Sequence, residues 1–164
     1  LFIVQSLFAC MLLTAISIPL VLKNPLSQLY NYPYIIQDRV KSLPQYEGRI
    51  PTTKNRLSVK LTASLFFIAV LTAIVYFSSD RNFISAFLYC FALWMIVNLY
   101  DVFILDWAWF CHCKRIRIPG TEDMVKEYES PLYHIIGGVK GTVIGLAVSI
   151  IVSALTVLIT AVVH

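Results

Sequence analysis

Four apolar runs, joined by polar stretches of very unequal length, organise this chain. They cover residues 1–22, 61–77, 83–110 and 139–163. A helix needs about 20 apolar residues to cross roughly 30 Å of hydrocarbon. The first, third and fourth runs meet that length, and the second sits at its lower limit. Hydrocarbon offers no partner to a free backbone N–H, so a spanning run must be helical. A helix in water would instead carry a polar face along one side, and runs 61–77 and 139–163 carry none. The pattern predicts an all-α polytopic membrane protein, with a single four-helix transmembrane domain over 1–164. The opening run exceeds the signal-peptide core of about 7–15 residues, and "IPLVLKNP" is a poor cleavage sequence, so it is read as a span. The chain starts on Leu1 and is expected to lack a short N-terminal piece.

Charge then gives the runs a direction. The connection 23–60 holds seven basic residues, Lys23, Arg39, Lys41, Arg49, Lys54, Arg56 and Lys60. The stretch 111–140 holds five, Lys114, Arg115, Arg117, Lys126 and Lys140, and the short turn 78–82 holds Arg81 alone. Twelve of the thirteen basic residues therefore fall on one side. Positive charge stays in the cytoplasm, so loops 23–60 and 111–138 are expected inside and both termini outside. Composition agrees: 59% of residues are hydrophobic and 13% charged, against about 45–50% and about 25% in soluble domains. Nothing in the sequence points to nucleic acid.

The first loop is broken by Pro25, Pro33, Pro44 and Pro51. Within it "YIIQDRV" reads as a short helix at the membrane surface, with Tyr30, Tyr32 and Tyr34 at headgroup depth. Its basic residues set topology and would attract anionic lipid. In the second loop, "TEDMVKEYE" reads as an amphipathic helix with Thr121 as its N-cap, Glu122 and Asp123 in the first turn, and an i, i+4 pair between Glu122 and Lys126. Pro131 ends it.

Small residues recur every four positions in the last run: Gly137, Gly141, Gly145, Ser149 and Ser153. In lipid, helices associate through close backbone approach, which such a stripe permits. It is expected to pack against another span, against a second copy of the chain, or around a lipid chain.

The third run carries the acidic groups. Counting about 1.5 Å per residue from Phe83, Asp101 lies about 27 Å along and Asp106 about 35 Å. Asp101 thus falls just inside the hydrocarbon boundary and Asp106 at or below it, beside Trp107, Trp109 and Phe110. A carboxylate at mid-span costs about 2.5–3.5 kcal/mol, so Asp101 calls for a partner, a neutral form or water. Asn98 and Asp101 share a helix face and are expected to be buried polar residues. Asp101 and Asp106 are five apart, about 140° around an α-helix, and share no pocket unless the helix is distorted. Candidate partners are Arg115, Arg117, His134 and Lys140. A cluster of Asp106, Glu122 and His134 at the inner surface would suit acid–base chemistry or a divalent metal; its bland counterpart is an interfacial salt-bridge network.

Cys111, His112 and Cys113 give C-x-C with one histidine, too few ligands at too close a spacing for a structural zinc site. Free interfacial cysteines, open to acylation, are expected. No metal is assigned, and no cofactor motif is present.

Several of these short segments together resemble a group of small four-span membrane proteins of bacteria, mostly Gram-positive, that carry no assigned activity. The segments are Tyr32-Pro33 with Ile36-Gln37, Asp106-Trp107, "PGTE" at 119–122, and His134 ahead of Lys140-Gly141. The resemblance implies a multi-pass protein of the bacterial plasma membrane and draws attention to Asp106, Glu122 and His134. Cys111, His112 and Cys113 depart from that pattern.

Three function classes follow. A non-enzymatic accessory protein that binds lipid or a partner membrane protein fits the small size, the small-residue stripe and the basic inner face. A membrane-embedded enzyme acting on a lipid or amphiphile at the inner leaflet would use the Asp/Glu/His cluster. A transporter would need a polar stripe through the whole membrane, and apart from Lys140 at its edge the second and fourth runs offer only Ser and Thr.

Overall fold

A computed structural model describes residues 1–50 and 53–163, with side chains left undescribed at 53–61 and 63. Helix makes up 83% of it, and no strand occurs among the described residues. Helix α1 is Phe2–Lys23, α2 Tyr34–Ser42, α3 Thr53–Ser78, α4 Phe83–Tyr100, α5 Val125–Glu129 and α6 Leu132–Val163. Three helical stretches are long and apolar enough to cross a membrane: Phe2–Lys23, Phe83–Phe110 and Val125–Val163. The apolar part of α3, Ser64–Ser78, is shorter. The helix itself is 26 residues long because it starts at Thr53, so the polar stretch expected to end at residue 60 closes earlier. Pro51 and the side chains of Lys54, Arg56 and Lys60 lie outside the described residues.

The chain divides into two compact units, each with its own core. The first comprises Leu1–Phe8, Thr53–Asn98 and Val139–His164. Leu71, Val75, Ala86, Cys90, Leu93 and Val152 form its core. Residues 79–82 turn α3 into α4, and Asn82 caps α4 by accepting from the Ser85 N–H at 2.9 Å. Gln5 bridges two helices: its amide donates to Ser78 Oγ at 2.9 Å and its carbonyl accepts from Tyr89 OH at 2.6 Å. The small-residue stripe of α6 is the packing face the sequence predicts, with one correction. A Cβ on Gly141 would meet Asn98, and one on Gly145 would run into the Trp94 indole. Trp94 Nε1 donates to Gly141 O at 3.0 Å, and Asn98 Nδ2 to Thr142 Oγ1 at 3.3 Å. Ser149 and Ser153 are fully buried. Gly137, by contrast, is exposed and would meet nothing within 4 Å, so it is no part of the face.

The second unit comprises Ala9–Thr52 and Leu99–Gly138. Here the two polar connections fold into a core of their own, built on Val21, Leu29, Tyr32, Ile36, Val40, Tyr46, Phe110, Ile116, Ile118 and Tyr128. The expectation that Tyr30, Tyr32 and Tyr34 would together lie at headgroup depth is corrected. Tyr32 is 0% exposed, donates its hydroxyl to Ile116 O at 2.7 Å and packs edge-on to Tyr128. Burial pushes its phenol well above the ordinary tyrosine range, which keeps it a donor. Helix α2 buries Ile36, Gln37 and Val40, with Tyr34 and Ile35 outward. Gln37 Nε2 donates to Tyr32 O at 2.7 Å.

The second connection is corrected as well. Helix α5 is only five residues long and has no side-chain cap. Thr121 is not its N-cap: it is buried, donates to Ile118 O at 2.6 Å and meets the Tyr128 hydroxyl at 2.8 Å. Gly120 makes the tight turn possible. Its φ is +87°, and a Cβ there would lie 2.8 Å from Leu43 Cδ1. An L-residue in that region costs about 1–2 kcal/mol, so Gly120→Ala should lower the melting temperature by several degrees, measured on purified protein in detergent. Unchanged melting would show that the turn relaxes freely.

Candidate functional site

The apolar run that starts as α4 does not stay α-helical. From Asp101 to Phe110 it is a π-helix, closed by the Cys111 N–H donating to Asp106 O at 2.9 Å. An i→i+5 ladder is rare, and where it occurs it is frequent at functional sites. It is wider than an α-helix and rises less per residue, so residues five apart share a face, as residues four apart do in an α-helix. The 140° offset between Asp101 and Asp106 belongs to an α-helix that is absent here. Asp101 is half-buried and lies within electrostatic reach of both Asp106 and His134.

Asp106 faces His134, the third residue of α6. Its Oδ2 is 3.1 Å from Nδ1 of the imidazole. The Asp106 side chain is 26% exposed and that of His134 5%. The ring is wedged between Phe110, edge-on at 5.0 Å between centroids, and Tyr133 at 5.5 Å. Tyr133 is in turn held by its hydroxyl, which donates to Tyr30 O at 2.9 Å and receives the Gln37 amide at 3.4 Å. The far nitrogen, Nε2, is buried and has no hydrogen-bond partner among the described residues. Most buried polar groups find a partner, so each exception asks for an explanation. A carboxylate on Nδ1 fixes the ring's tautomer and orientation and leaves Nε2 to accept or donate a proton. The pair is thus built like the orienting half of an acid–base device.

The remaining expected members lie elsewhere. Glu122 is exposed, and both its oxygens accept from the Gly120 N–H, at 2.8 and 3.0 Å. That bond holds its carboxyl below the usual carboxylate range. Glu122 closes the "PGTE" turn and does not join Asp106 and His134, so the three-residue cluster is a two-residue pair. Arg117 pairs with Glu129 at 3.4 Å, and Arg115 and Lys140 are exposed. Of the candidate partners for the acids, His134 alone is paired with Asp106. Asn98 is half-buried rather than buried. Among the described residues, no three His, Cys, Asp or Glu side chains gather in a group able to hold a metal ion.

The cysteines are less available than expected. Cys111 is 1% exposed, and its Sγ contacts Ser130 O at 3.9 Å. Burial, with the charges of Asp106 and Glu129 adding, pushes its thiol up to about 11. A buried neutral thiol is a poor nucleophile and a poor metal ligand. Cys113 is half-buried, and His112 is exposed with Nδ1 3.0 Å from Trp107 O.

Sequence reading missed Tyr133 and Phe110 as walls of the imidazole, and the Thr14–Tyr100 hydroxyl contact at 2.8 Å. Tyr133 sits beside His134 in a helix start, where no periodicity marks it. Comparison with protein-family models, with characterised proteins and with solved structures finds no match to this chain.

Proposed function

We propose that the chain is a multi-pass protein of the bacterial plasma membrane with four spans, 1–22, 61–77, 83–110 and 139–163, both termini outside and both basic connections in the cytoplasm. Its role is non-enzymatic: an accessory protein that binds lipid or a partner membrane protein. The observation that carries this reading is the second unit. Its two connections form a core of their own, and they turn Lys23, Arg39, Lys41, Arg49, Lys114 and Arg115 outward, with Asp38, Glu47, Glu122, Asp123 and Glu129 exposed among them. The first connection is the basic one, setting Lys23, Arg39, Lys41 and Arg49 against Asp38 and Glu47, and its surplus of positive charge suits an anionic partner at a membrane. The apolar helices support the membrane setting, since residues such as Leu7, Phe8, Met11, Val143 and Leu158 are exposed and lipid would cover them. The likeness of the "YP", "DW", "PGTE" and His134 segments to small four-span bacterial proteins belongs to the same proposal. Thiol labelling tests it. In intact cells an impermeant reagent should label Asp80→Cys and spare Lys41→Cys until the membrane is opened. Labelling of Lys41→Cys from outside would overturn the topology and the function built on it.

A second reading rests on one observation, the unpartnered Nε2 of His134. On that reading Asp106 orients His134 as the acid–base group of an enzyme working on an amphiphile at the inner leaflet.

A further inference from the structure

The second unit has an open cleft of about 390 Å³ between residues 24–26, Tyr46, Arg49, Ile118 and Pro119. We propose that this cleft seats the phosphate of an anionic phospholipid headgroup, with Arg49 as its countercharge. The inference rests on the lipid-binding reading above and gives it a place and a ligand class.

The cleft's hydrogen-bonding inventory is one-sided. The Arg49 side chain is exposed and makes no ion pair among the described residues, where the pairs are Lys41–Asp38, Arg117–Glu129 and His134–Asp106. Asn24 uses its carbonyl oxygen to accept from the Ser27 N–H at 3.1 Å, which leaves its NH₂ as the free end. One acceptor of the wall is already engaged: Pro119 O receives Tyr46 OH at 2.8 Å and the Gln45 amide at 3.4 Å. Unspent donors beside an engaged acceptor favour an anion. A guanidinium suits phosphate in particular, because its planar fork meets two oxygens at once.

The source of the phosphate follows from position. The cleft wall starts at Asn24, directly after α1 ends at Lys23. Where a span ends, lipid headgroups begin. Leu20 and Leu22, in the last turn of α1, are exposed and offer acyl chains an apolar surface beside it. Ile118 and the ring of Pro119 give the glycerol portion an apolar wall. A lipid would arrive by lateral diffusion with its phosphate already at this depth, which free phosphate would not.

Native mass spectrometry of the full chain in mild detergent reads the result. The protein is titrated with phosphatidylglycerol and with phosphatidylcholine of the same acyl chains. The wild type should retain phosphatidylglycerol at least about tenfold more tightly, and Arg49→Gln should lose most of that preference. Arg49→Lys should keep part of it. Lys126→Gln removes an exposed charge of α5 that does not line the cleft, and should leave the preference intact. Equal, small losses in Arg49→Gln and Lys126→Gln would overturn the cleft site while leaving general attraction to anionic lipid standing. No preference in the wild type would overturn both. Displacement of the lipid by millimolar inorganic phosphate would overturn the lipid as the source.

Discussion

Gly145→Leu should unfold the first unit under conditions where the wild type is intact. The reason is local and steric. A single Cβ at position 145 would already overlap the Trp94 indole, and leucine adds three more carbons in the same direction. Overpacking a filled site costs about 1–3 kcal/mol when neighbours can shift. Here the neighbour is a large flat ring pinned by its Nε1–H bond to Gly141 O and flanked by Phe67 at 5.8 Å. Moving it would also break a hydrogen bond worth about 1 kcal/mol, so the loss should lie at or above the top of that range. Gly137→Leu is the control. It stands on the same helix with nothing within 4 Å of its would-be Cβ, and it should melt within a degree or two of the wild type. Thermal unfolding in detergent, followed by tryptophan fluorescence, separates the two. Equal melting for Gly145→Leu and wild type would mean that the stripe is not a contact. The same geometry bears on association: Trp94 and Asn98 of the chain itself occupy the face at Gly141 and Gly145, so a second copy would have to dock elsewhere.

What could be read from the sequence follows from which physics leaves a one-dimensional trace. The long apolar helices are legible because membrane thickness is a length, and length can be counted along 1–22, 83–110 and 139–163. The stripe at Gly141, Gly145, Ser149 and Ser153 is legible because four-residue spacing marks one helix side. The start of α3 is not, because Thr53 to Lys60 is polar and an apolar count cannot see a helix that extends past its greasy part. The second unit was largely illegible. Tyr32 and Tyr128 look like residues for a membrane surface, being half apolar and half polar, and their burial depends on contacts spanning more than eighty positions, as in Tyr32 OH to Ile116 O. No local pattern records such a contact.

The acidic end of the third run shows the same limit. The spacing of Asp101 and Asp106 separates them on an α-helix, and the structure has a π-helix there. In a stretch as apolar as "DVFILDWAWF" every face is greasy, so a change from four- to five-residue bonding alters no visible periodicity. His134 is legible as a partner for Asp106 because it stands just ahead of the last apolar run. Glu122 was not legible as a turn-closing residue, because its bond to the Gly120 N–H depends on the positive φ of that glycine.

Replacing Asp106 alone should cost far more than replacing Asp106 and His134 together. Asp106→Ala leaves a buried imidazole with neither nitrogen bonded, and stripping the partner from a buried hydrogen-bonding group costs about 1–3 kcal/mol, more for a charged one. Asp106→Asn keeps an acceptor near Nδ1 and should lose less. The double variant Asp106→Leu/His134→Leu removes both polar groups and the orphaned Nε2 with them, and apolar replacement of a buried pair is often neutral or stabilising by about 1–4 kcal/mol. The expected order of melting temperature is therefore Asp106→Ala lowest, Asp106→Asn intermediate, and the double leucine variant at or above wild type. A double variant as unstable as Asp106→Ala would mean that the pair holds α6 against the π-helix and that its role is structural. A stable double variant that has lost its cellular phenotype would mean that the chain keeps a destabilising pair for its chemistry, and would favour the acid–base reading. A stable double variant with full function would leave the non-enzymatic reading in place, with the free nitrogen of His134 doing nothing that the cell requires.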